Sequence, residues 1–448
     1  MNQIERALQC TTDTKACLMG RGVVADTAKV FMELFPGQKA LVVADLNTWI
    51  VAGVAVQQSL DAAGVVSEPA YVFDDPELYA EWKFVEQLQA RMSQTDAIAV
   101  AVGAGVVNDL VKYVSHVLGR RYICVGTACS MDGFTAFGAS ITKDGNKQTF
   151  SCPAPLGFVM DPLIAAEAPK ELAASGYADL IAKIPAGADW MLADAVDSEK
   201  IHPLAFDLVQ GGLKNALSNP AAVHAGDVEN TEKLAEGLLL SGFAMQAMSS
   251  SRPASGLEHQ FSHFWDMEAL SYPDGKHVSH GFKVGIGTLI STLALEFLLT
   301  KDVAAVDTDA VVAAWKTWDE MAAEIHRLCA NLPGHLSRCL VEAKGKYVDA
   351  DGLRKQVELL KAAWPTLSEQ IRQQILPFDQ VYENLKAVGA PYEPEMICVS
   401  REHLKETVDV IPFMRARVSS IDILYRLGYL EEFKTTLFNT GARWEVAE

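Results

Sequence analysis

The sequence is poor in positive charge, which argues against two broad classes of partner. Its 448 residues include 38 Lys and Arg against 57 Asp and Glu, a formal net charge of −19 at pH 7. This charge repels phosphate backbones and anionic lipid headgroups over long distances. We therefore expect no nucleic acid and no membrane among the partners. An anionic substrate would need a local cationic pocket or a metal.

Paired cysteines and long apolar runs are also missing. The longest apolar run, around GIGTLISTLALEFLL, is shorter than the roughly 20 residues that span a bilayer, and its charged flanks suit a buried helix. The N-terminal segment MNQIERALQC carries Glu5 and no apolar stretch, so we expect no signal peptide. The eight cysteines form no CxxC pair, and we expect reduced, mostly buried thiols. These features favour a cytoplasmic protein.

The pattern of apolar residues changes near residue 165. Before that point, short runs rich in Val, Ile and Ala alternate with helical stretches, and the runs lack polar alternation, which is typical of parallel strands covered on both faces. The predicted strands are 16–19, 40–44, 70–73, 97–102 and 122–125. The later part holds long amphipathic stretches, at 170–198, 203–217, 230–249, 303–331, 351–362 and 400–436. We predict an α/β fold in which a βαβ domain over 1–165 precedes an all-helical domain over 166–448.

Glycines stand where the fourth predicted strand meets the next helix. In AIAVAVGAGVVNDLVKYV, an apolar run leads into Gly103, Ala104 and Gly105, and a helix opens near Asn108 and Asp109. Glycines let the backbone approach a ligand, and the N–H groups at a helix start favour a phosphate. The third glycine of the usual dinucleotide fingerprint is missing, so a tight turn without a ligand explains the pattern equally well.

Polar side chains follow two other predicted strands. The segment VGTACSMDGF carries Thr127, Ser130 and Asp132, and Asp45 ends the second strand. Ligands of parallel sheets bind at these strand ends, although an ordinary polar turn is the alternative for the first three. Asp45 would accept hydrogen bonds from a ribose and favour NAD over NADP, or it would cap the helix that follows.

Three histidines and one aspartate suggest a metal site. His259 and His263 are four residues apart in SRPASGLEHQFSHFW and so share one helical face. His280 follows 21 residues after His259 in VSHGFKVGIG, and Asp179 lies upstream in SGYADLIAK. Two imidazoles and one carboxylate suit a divalent ion such as zinc and leave positions for a substrate. Gln260 replaces the Glu of metalloprotease motifs, and a plain histidine pair is the alternative.

Five motifs occur in an order found in one enzyme family. They are GAGVVNDLVKY, GTACSMDGFT, GYADLIAK followed by ADW, SRPASGLEHQFSHFW and HGFKVGIG. Over roughly residues 15–290 the chain thus resembles the sn-glycerol-1-phosphate dehydrogenases of the iron-containing alcohol dehydrogenase, glycerol dehydrogenase and dehydroquinate synthase superfamily. The resemblance implies a Rossmann-like dinucleotide-binding domain, a helical metal- and substrate-binding domain, and an active site in the cleft between them. It also implies a homo-oligomer, for which we expect a dimer, and a role in phospholipid metabolism.

The resemblance also implies roles for individual residues. One divalent metal, with zinc first and nickel or iron as alternatives, is held by Asp179, His259 and His280. His263 then faces the substrate from the helix that carries His259, and Asp132 contacts the substrate as well. Asp45 is added here because it ends the second predicted strand. The candidate contacts with NAD or NADP are then Asp45, Gly103, Ala104, Gly105, Val106, Val107, Asn108, Asp109, Thr127 and Ser130.

The sequence departs from the family pattern at two positions. Ala178 precedes Asp179 where the family often has glycine, which leaves the ligand itself in place. Ala136 stands in the turn after Asp132 where the family tends to have serine. The second change removes one hydroxyl that would contact the cofactor, so the choice between NAD and NADP stays open.

The reaction implied is reversible hydride transfer between NAD(P)H and dihydroxyacetone phosphate, giving sn-glycerol 1-phosphate. The phosphate group of the substrate needs cationic partners. The candidates are Lys183, one turn beyond Asp179, and Arg252, just before the histidine motif. A surface cation or a structural ion pair is the alternative for each. Three other functions remain open: a dehydrogenase of glycerol or another unphosphorylated polyol, a cyclase of the dehydroquinate synthase kind, and a binding protein that kept the fold.

Overall fold

The computed structural model describes residues 2–446, which form two compact units. The first contains the residues up to Leu180, together with Asp207–Ser251 and Ala387–Gly389. The second contains Ile181–Phe206, Arg252–Lys386 and the residues from Ala390 onward. The domain boundary after residue 165 stays a prediction.

A parallel sheet forms the centre of the first unit. The strands are β1 Ala16–Met19, β2 Ala40–Asp45, β3 Tyr71–Phe73, β4 Ile98–Gly103, β5 Ile123–Gly126, β6 Ala139–Lys143, β7 Asn146–Phe150 and β8 Gly157–Met160. Six of them pair in the order β1-β8-β5-β4-β2-β3, with all neighbours parallel, while β6 and β7 form an antiparallel hairpin. The predicted parallel sheet is confirmed. Strand β8 and the hairpin were not predicted, because β8 begins with Gly157 shortly after Pro153 and Pro155 and the hairpin sequence is mostly polar.

The strands owe their apolar composition to burial on both faces. Val42 and Val43 are successive residues of β2 whose side chains point to opposite faces, and both are fully buried. Val100 and Ala101 repeat this in β4. Because no face of these strands meets solvent, the polar alternation of a half-exposed strand is missing.

The strand order creates a change of direction between β2 and β4. From β2 the chain passes to β3 at the edge of the sheet, and it returns with β4 on the other side of β2. This reversal is a topological switch point, where ligands of open α/β sheets bind at the carboxyl ends of the strands. Asp45 is the last residue of β2 and Gly103 the last of β4.

The remainder of the chain is mostly helical, as predicted for the C-terminal part. The helices up to the second unit are α1 Gln3–Leu8, α2 Thr27–Leu34, α3 Leu46–Thr48, α4 Val54–Ala62, α5 Trp82–Met92, α6 Gly105–Val117, α7 Pro162–Glu167 and α8 Lys170–Ile181. Those that follow are α9 Lys183–Ala195, α10 Pro203–Gln210, α11 Leu213–Ala216, α12 Pro220–Ala225, α13 Val228–Met248, α14 Leu257–Met267, α15 His280–Leu299, α16 Thr308–Ala313, α17 Trp318–Leu328, α18 Pro333–Lys346, α19 Ala350–Gln374, α20 Phe378–Val388, α21 Arg401–Val410, α22 Ser420–Arg426 and α23 Leu430–Phe438. Short 3-10 helices span Val23–Asp26, Arg252–Ala254, Val303–Ala305, Pro394–Ile397 and Ile411–Phe413, and a π-helical turn spans Trp49–Gly53.

Helix α15 carries the longest apolar run. Within the part of the chain that the structure describes, it alone has the length and composition of a membrane-spanning helix. Of its most apolar window, 72% is buried inside the protein. Burial against neighbours such as α14 accounts for this composition.

Candidate active site

Asp179, His259 and His280 form a cluster of potential metal ligands. One carboxylate oxygen and one nitrogen from each ring lie within 4.8 Å of one another. Asp179 and His259 are buried, and His280 is half-buried. Ligand atoms that share one ion, each about 2.0–2.2 Å from it, are roughly 3.0–3.5 Å apart, so the three atoms would have to approach one another when they bind an ion. Small side-chain adjustments would therefore let this set hold one divalent cation.

The two histidines of this cluster are positioned by helices α14 and α15. His259 lies in the first turn of α14, and His280 is the first residue of α15, where Ser279 caps the helix. Where the helices meet, a Cβ at Gly287 would lie only 3.0 Å from the carbonyl carbon and the Cα of Glu258. Glycine thus permits a close approach of the two backbones, and the two imidazole centroids lie 5.3 Å apart.

Two residues of α14 hold these imidazoles through their Nδ1 atoms. Glu258 Oε1 lies 2.8 Å from Nδ1 of His259, and Ser262 Oγ lies 3.2 Å from Nδ1 of His280. Glu258 is fully buried and also accepts the N–H of Gly256 at 2.6 Å. With Nδ1 engaged in this way, Nε2 is the ring nitrogen that would face a metal.

Asp179 is linked to the segment that follows β5. Its Oδ2 accepts the backbone N–H of Asp132 at 3.0 Å, and Asp132 Oδ2 in turn accepts the hydroxyl of Ser241 at 2.8 Å. The hydroxyl of Ser175 donates to the carbonyl of Ser130 at 3.2 Å. These bonds attach α8 to the strand-end segment, so the candidate ligand Asp179 and the candidate substrate contact Asp132 are neighbours.

His263 lies one turn beyond His259 on α14. Burial lowers the pKa of His263 well below its usual range, the positive charge of Arg415 lowers it further, and Asp266 opposes both effects. Its imidazole is therefore neutral at pH 7, with one ring nitrogen as a donor and the other as an acceptor.

The glycine loop joins β4 to α6 at the switch point. Ala104 is the extended N-cap of α6. A Cβ on Gly103 would lie 2.7 Å from Cβ of Val107, and one on Gly105 would lie 2.8 Å from Cε of Met131. Close packing thus requires glycine at position 103, whereas the flexible end of Met131 could move away from a Cβ at position 105. The first N–H groups of α6, which lack intrahelical partners, occur at the end of β4. This arrangement suits a pyrophosphate.

Three candidate cofactor residues already have partners in the fold. Asn108 Oδ1 accepts the hydroxyl of Tyr122 at 2.9 Å, and Asp109 Oδ2 accepts a backbone N–H of β6 at 3.1 Å. Asp45 Oδ1 accepts the N–H of Thr48 at 2.9 Å, in a capping box at the start of α3. This cap is the alternative that the sequence left open for Asp45, and a contact with ribose stays a prediction.

The loop after β5 is connected to the glycine loop and to α6. Thr127 donates its N–H to the carbonyl of Gly103 at 3.2 Å, and Thr127 and Ser130 are both buried. Lys112 of α6, fully buried, donates its Nζ to three backbone carbonyls of the 133–138 loop at 3.0–3.1 Å. Through these bonds one lysine holds the loop that follows Asp132.

The two cations expected to bind phosphate are both buried in the second unit. Lys183 starts α9 and has no exposed surface. Arg252 donates to the carbonyls of Asp189 at 2.8 Å and Val418 at 3.3 Å, and it pairs with Glu199 at 3.4 Å. The structural role that the sequence left open accounts for these contacts of Arg252. A phosphate-binding role for either residue stays a prediction.

Sequence reasoning missed four residues that position the candidate site. Glu258 had a visible signal, because a carboxylate stands directly before a histidine in GLEHQ. Ser262, Ser241 and Lys112 had none, since their partners lie on other elements and depend on how those elements pack.

Comparisons with known proteins agree with this architecture. The model of the family described as iron-containing alcohol dehydrogenase matches residues 18–169. Glycerol-1-phosphate dehydrogenase (NAD(P)+) of Halalkalibacterium halodurans is 33% identical over 251 residues, 56% of this chain and 63% of the relative. The enzyme of the same description from Methanothermobacter thermautotrophicus is 33% identical over 271 residues, 60% of this chain and 75% of the relative.

Similarity to solved structures extends over nearly the whole chain. A probable glycerol dehydrogenase from Sinorhizobium meliloti 1021 aligns with a TM-score of 0.59, covering 94% of this chain and 98% of that one. At 14% identity this likeness shows the fold alone. In sequence, the chain spans about 63% of the length of the first curated relative above.

Proposed function

Because the chain belongs to the sn-glycerol-1-phosphate dehydrogenase family of the iron-containing alcohol dehydrogenase superfamily, we propose that it interconverts dihydroxyacetone phosphate and sn-glycerol 1-phosphate with NAD(P)H as hydride donor. The observation that carries the proposal is the cluster of Asp179, His259 and His280 in a chain that also has a glycine loop at the switch point of a parallel sheet. We also propose that the reaction takes place in the cytoplasm.

The donor set fits a divalent cation. It offers one carboxylate and two imidazoles. Because Nδ1 of His259 and Nδ1 of His280 are engaged by Glu258 and Ser262, Nε2 of each ring would bind the metal. When bound there, a divalent cation would polarise the substrate carbonyl and stabilise the charge that develops on its oxygen, by on the order of several kcal/mol. We propose zinc, and nickel or iron accept the same donors.

The side chains around this cluster would orient the substrate and move a proton. His263, neutral at pH 7, would relay a proton to the oxygen that becomes the alcohol. Asp132, fixed by the hydroxyl of Ser241, would accept a hydrogen bond from the substrate hydroxyl. Lys183 and Arg252 would add positive charge near the phosphate.

The glycine loop would hold the cofactor. Its pyrophosphate would accept N–H groups at the start of α6, residues 103–107, with Asn108 and Asp109 fixing the helix start and Thr127 and Ser130 closing the neighbouring loop. Asp45, at the end of β2, would meet the adenosine ribose with the carboxylate oxygen that does not cap α3. This carboxylate would favour NAD over NADP.

Single substitutions of the three proposed ligands test the proposal. Asp179→Ala, His259→Ala and His280→Ala should each lose bound metal, measured by elemental analysis, and NADH oxidation with dihydroxyacetone phosphate. His326→Ala, which changes an exposed histidine of α17, is the matched control and should keep both. A ligand variant that retains wild-type metal content and turnover would refute that residue's role.

The same assay separates the alternative functions. A polyol dehydrogenase would oxidise NADH with dihydroxyacetone at least as fast as with its phosphate. A cyclase that returns its hydride within one cycle would give no net change in NADH absorbance. The oligomeric state, for which we propose a dimer, is measured by analytical ultracentrifugation.

A further inference from the structure

Asp189 of helix α9 is a carboxylate that joins the starts of two later helices, and it has no exposed surface. Its Oδ2 accepts the N–H of Leu257, the first residue of α14, at 2.7 Å. Its Oδ1 accepts the N–H of Ser420, the first residue of α22, also at 2.7 Å. The N–H groups of a first helical turn lack intrahelical acceptors. Asp189 therefore supplies acceptors to two helices to which it does not belong.

Helix α14 uses this external acceptor because its own N-cap, Gly256, has no side chain. A Cβ on Gly256 would lie 2.8 Å from the backbone Cα of Ala186, so glycine is needed for α9 to approach the start of α14 this closely. The same Cβ would lie 2.7 Å from Oδ2 of Asp189 and 2.9 Å from Oε2 of Glu258. The carboxylates of Asp189 and Glu258 are therefore neighbours.

The residues on both sides of Leu257 connect this bond to the candidate ligand His259. The N–H of Gly256 donates to Oε1 of Glu258 at 2.6 Å, and the same oxygen lies 2.8 Å from Nδ1 of His259. A displacement of Leu257 would therefore move the carboxylate that orients His259. The backbone carbonyl of Asp189 also accepts the guanidinium of Arg252 at 2.8 Å, which attaches the segment before α14 to the same residue.

Stability alone is a weak explanation for a carboxylate at this place. Burial, and then the negative charge of Glu258, raise the pKa of Asp189 to about 7, although the N–H groups of Leu257 and Ser420 favour its charged form. Burying one carboxylate beside another costs free energy, which the hydrogen bonds offset only in part. The definite effect of Asp189 is geometric, because it sets where α14 begins.

We propose that Asp189 is a positioning residue of the candidate metal site, an inference that rests on the proposed function. By accepting the first N–H of α14, it holds Glu258 and His259 where Nε2 of His259 meets the cation. Replacing the hydrogen-bond partner of a metal ligand typically weakens metal binding 10- to 100-fold. Because Asp189 acts through Glu258, we expect an effect at the lower end of this range.

The variant Asp189→Ala removes both acceptors. Competition with a chromophoric chelator should show roughly tenfold weaker zinc binding. The visible absorption spectrum of the Co²⁺-loaded protein, which reports the arrangement of the ligands, should change as well. The matched control is Asp422→Ala, since Asp422 is buried and accepts the N–H and the hydroxyl of Ser419 before α22, both at 3.0 Å. These bonds do not include α14, so the control should be less stable in urea but keep the zinc affinity and the Co²⁺ spectrum of the wild type.

Hydrogen exchange of the wild-type protein is a second measurement that needs no variant. The Leu257 amide should exchange slowly in the metal-free protein, and zinc should slow it further by at least about threefold. The reason is reciprocity: a metal that binds better when the start of α14 is held must also stabilise that start. Mass spectrometry with residue resolution measures both rates. If Asp189→Ala does not fold, this measurement decides alone.

Three results would overturn the inference while leaving the proposed function intact. They are a wild-type zinc affinity and Co²⁺ spectrum in Asp189→Ala, equal losses of zinc affinity in Asp189→Ala and Asp422→Ala, and a Leu257 amide whose exchange does not respond to zinc. A wild-type protein that binds no divalent metal would refute the proposed function itself, and this inference with it.

Discussion

Replacing Gly287 with alanine should separate the two helices that carry the candidate metal-binding histidines. A Cβ at this position would lie 3.0 Å from two backbone carbons of Glu258, and closer still to its carbonyl oxygen. Non-bonded carbon atoms prefer separations of about 3.5–4.0 Å, so the helices must move apart by roughly 0.5–1 Å. Because the obstructing atoms are backbone, no side-chain rotation relieves the clash.

This displacement would act directly on the metal site. Glu258 precedes His259 and holds its Nδ1, while α15 carries His280. Metal sites keep their ligand distances within about 0.2 Å. We expect Gly287→Ala to bind zinc roughly 10- to 100-fold more weakly. Overpacking should also reduce the free energy of unfolding by about 1–3 kcal/mol.

Competition with a chromophoric chelator measures the zinc affinity, and urea unfolding of the metal-free protein measures the stability. Gly334→Ala, on α18 of the same unit, is the matched control, since a Cβ there meets nothing within 4 Å. Alanine there should leave zinc affinity unchanged and stabilise the helix by up to about 1 kcal/mol. If Gly287→Ala binds zinc as tightly as the wild type, the close helix crossing does not set the ligand geometry, and the reasoning is wrong.

Three further predictions concern the residues that support the site and one ion pair outside it. Glu258→Gln removes the charge that orients His259 and should weaken zinc binding at least tenfold, as measured by chelator competition. The circular dichroism spectrum should stay unchanged. A variant with wild-type zinc affinity would contradict this prediction. Lys112→Met leaves three loop carbonyls without their donor and should lower the free energy of unfolding in urea by about 3 kcal/mol. It should also weaken NADH binding in fluorescence titrations. An unchanged stability would argue against this role of Lys112. Hydrogen bonding to Glu268 raises the pKa of His403 in the folded protein. The pair therefore stabilises the fold fully at a pH below the pKa of the unfolded state, about 6.5. This stabilisation is lost as the pH rises through the pKa of His403 in the folded state. His403→Gln should therefore lower stability by about 0.5–1 kcal/mol at pH 5.5 and by less at pH 9, and an equal loss at both would refute the linkage.

The parallel sheet could be predicted because its strands carry the signature of burial on two faces. Strands β2 and β4 are continuous apolar runs, and their predicted limits agree with the observed ones within a residue. Strand β8 escaped prediction because it begins with Gly157 shortly after Pro153 and Pro155, and both residue types are depleted in strands. The β6–β7 hairpin carried a visible signal, since Asp144 and Gly145 form its turn with positive φ, and it was missed because the residues on either side are mostly polar.

The candidate site was predictable at the level of residue types and order along the chain. The motifs pointed to Asp179, His259 and His280, and the structure brings their ligand atoms within 4.8 Å, while their metal-binding role stays a prediction. Their orienting partners were not predictable. Ser262 reaches His280 only because α14 and α15 cross closely, and no sequence spacing encodes that crossing.

Distance from a motif along the chain does not show whether a cation already has partners within the fold. Arg252 stands directly before the histidine motif, yet its guanidinium donates to backbone carbonyls of Asp189 and Val418 and so joins two segments of the second unit. A guanidinium that is satisfied in this way contributes to the stability of the second unit, whatever its distance from a motif.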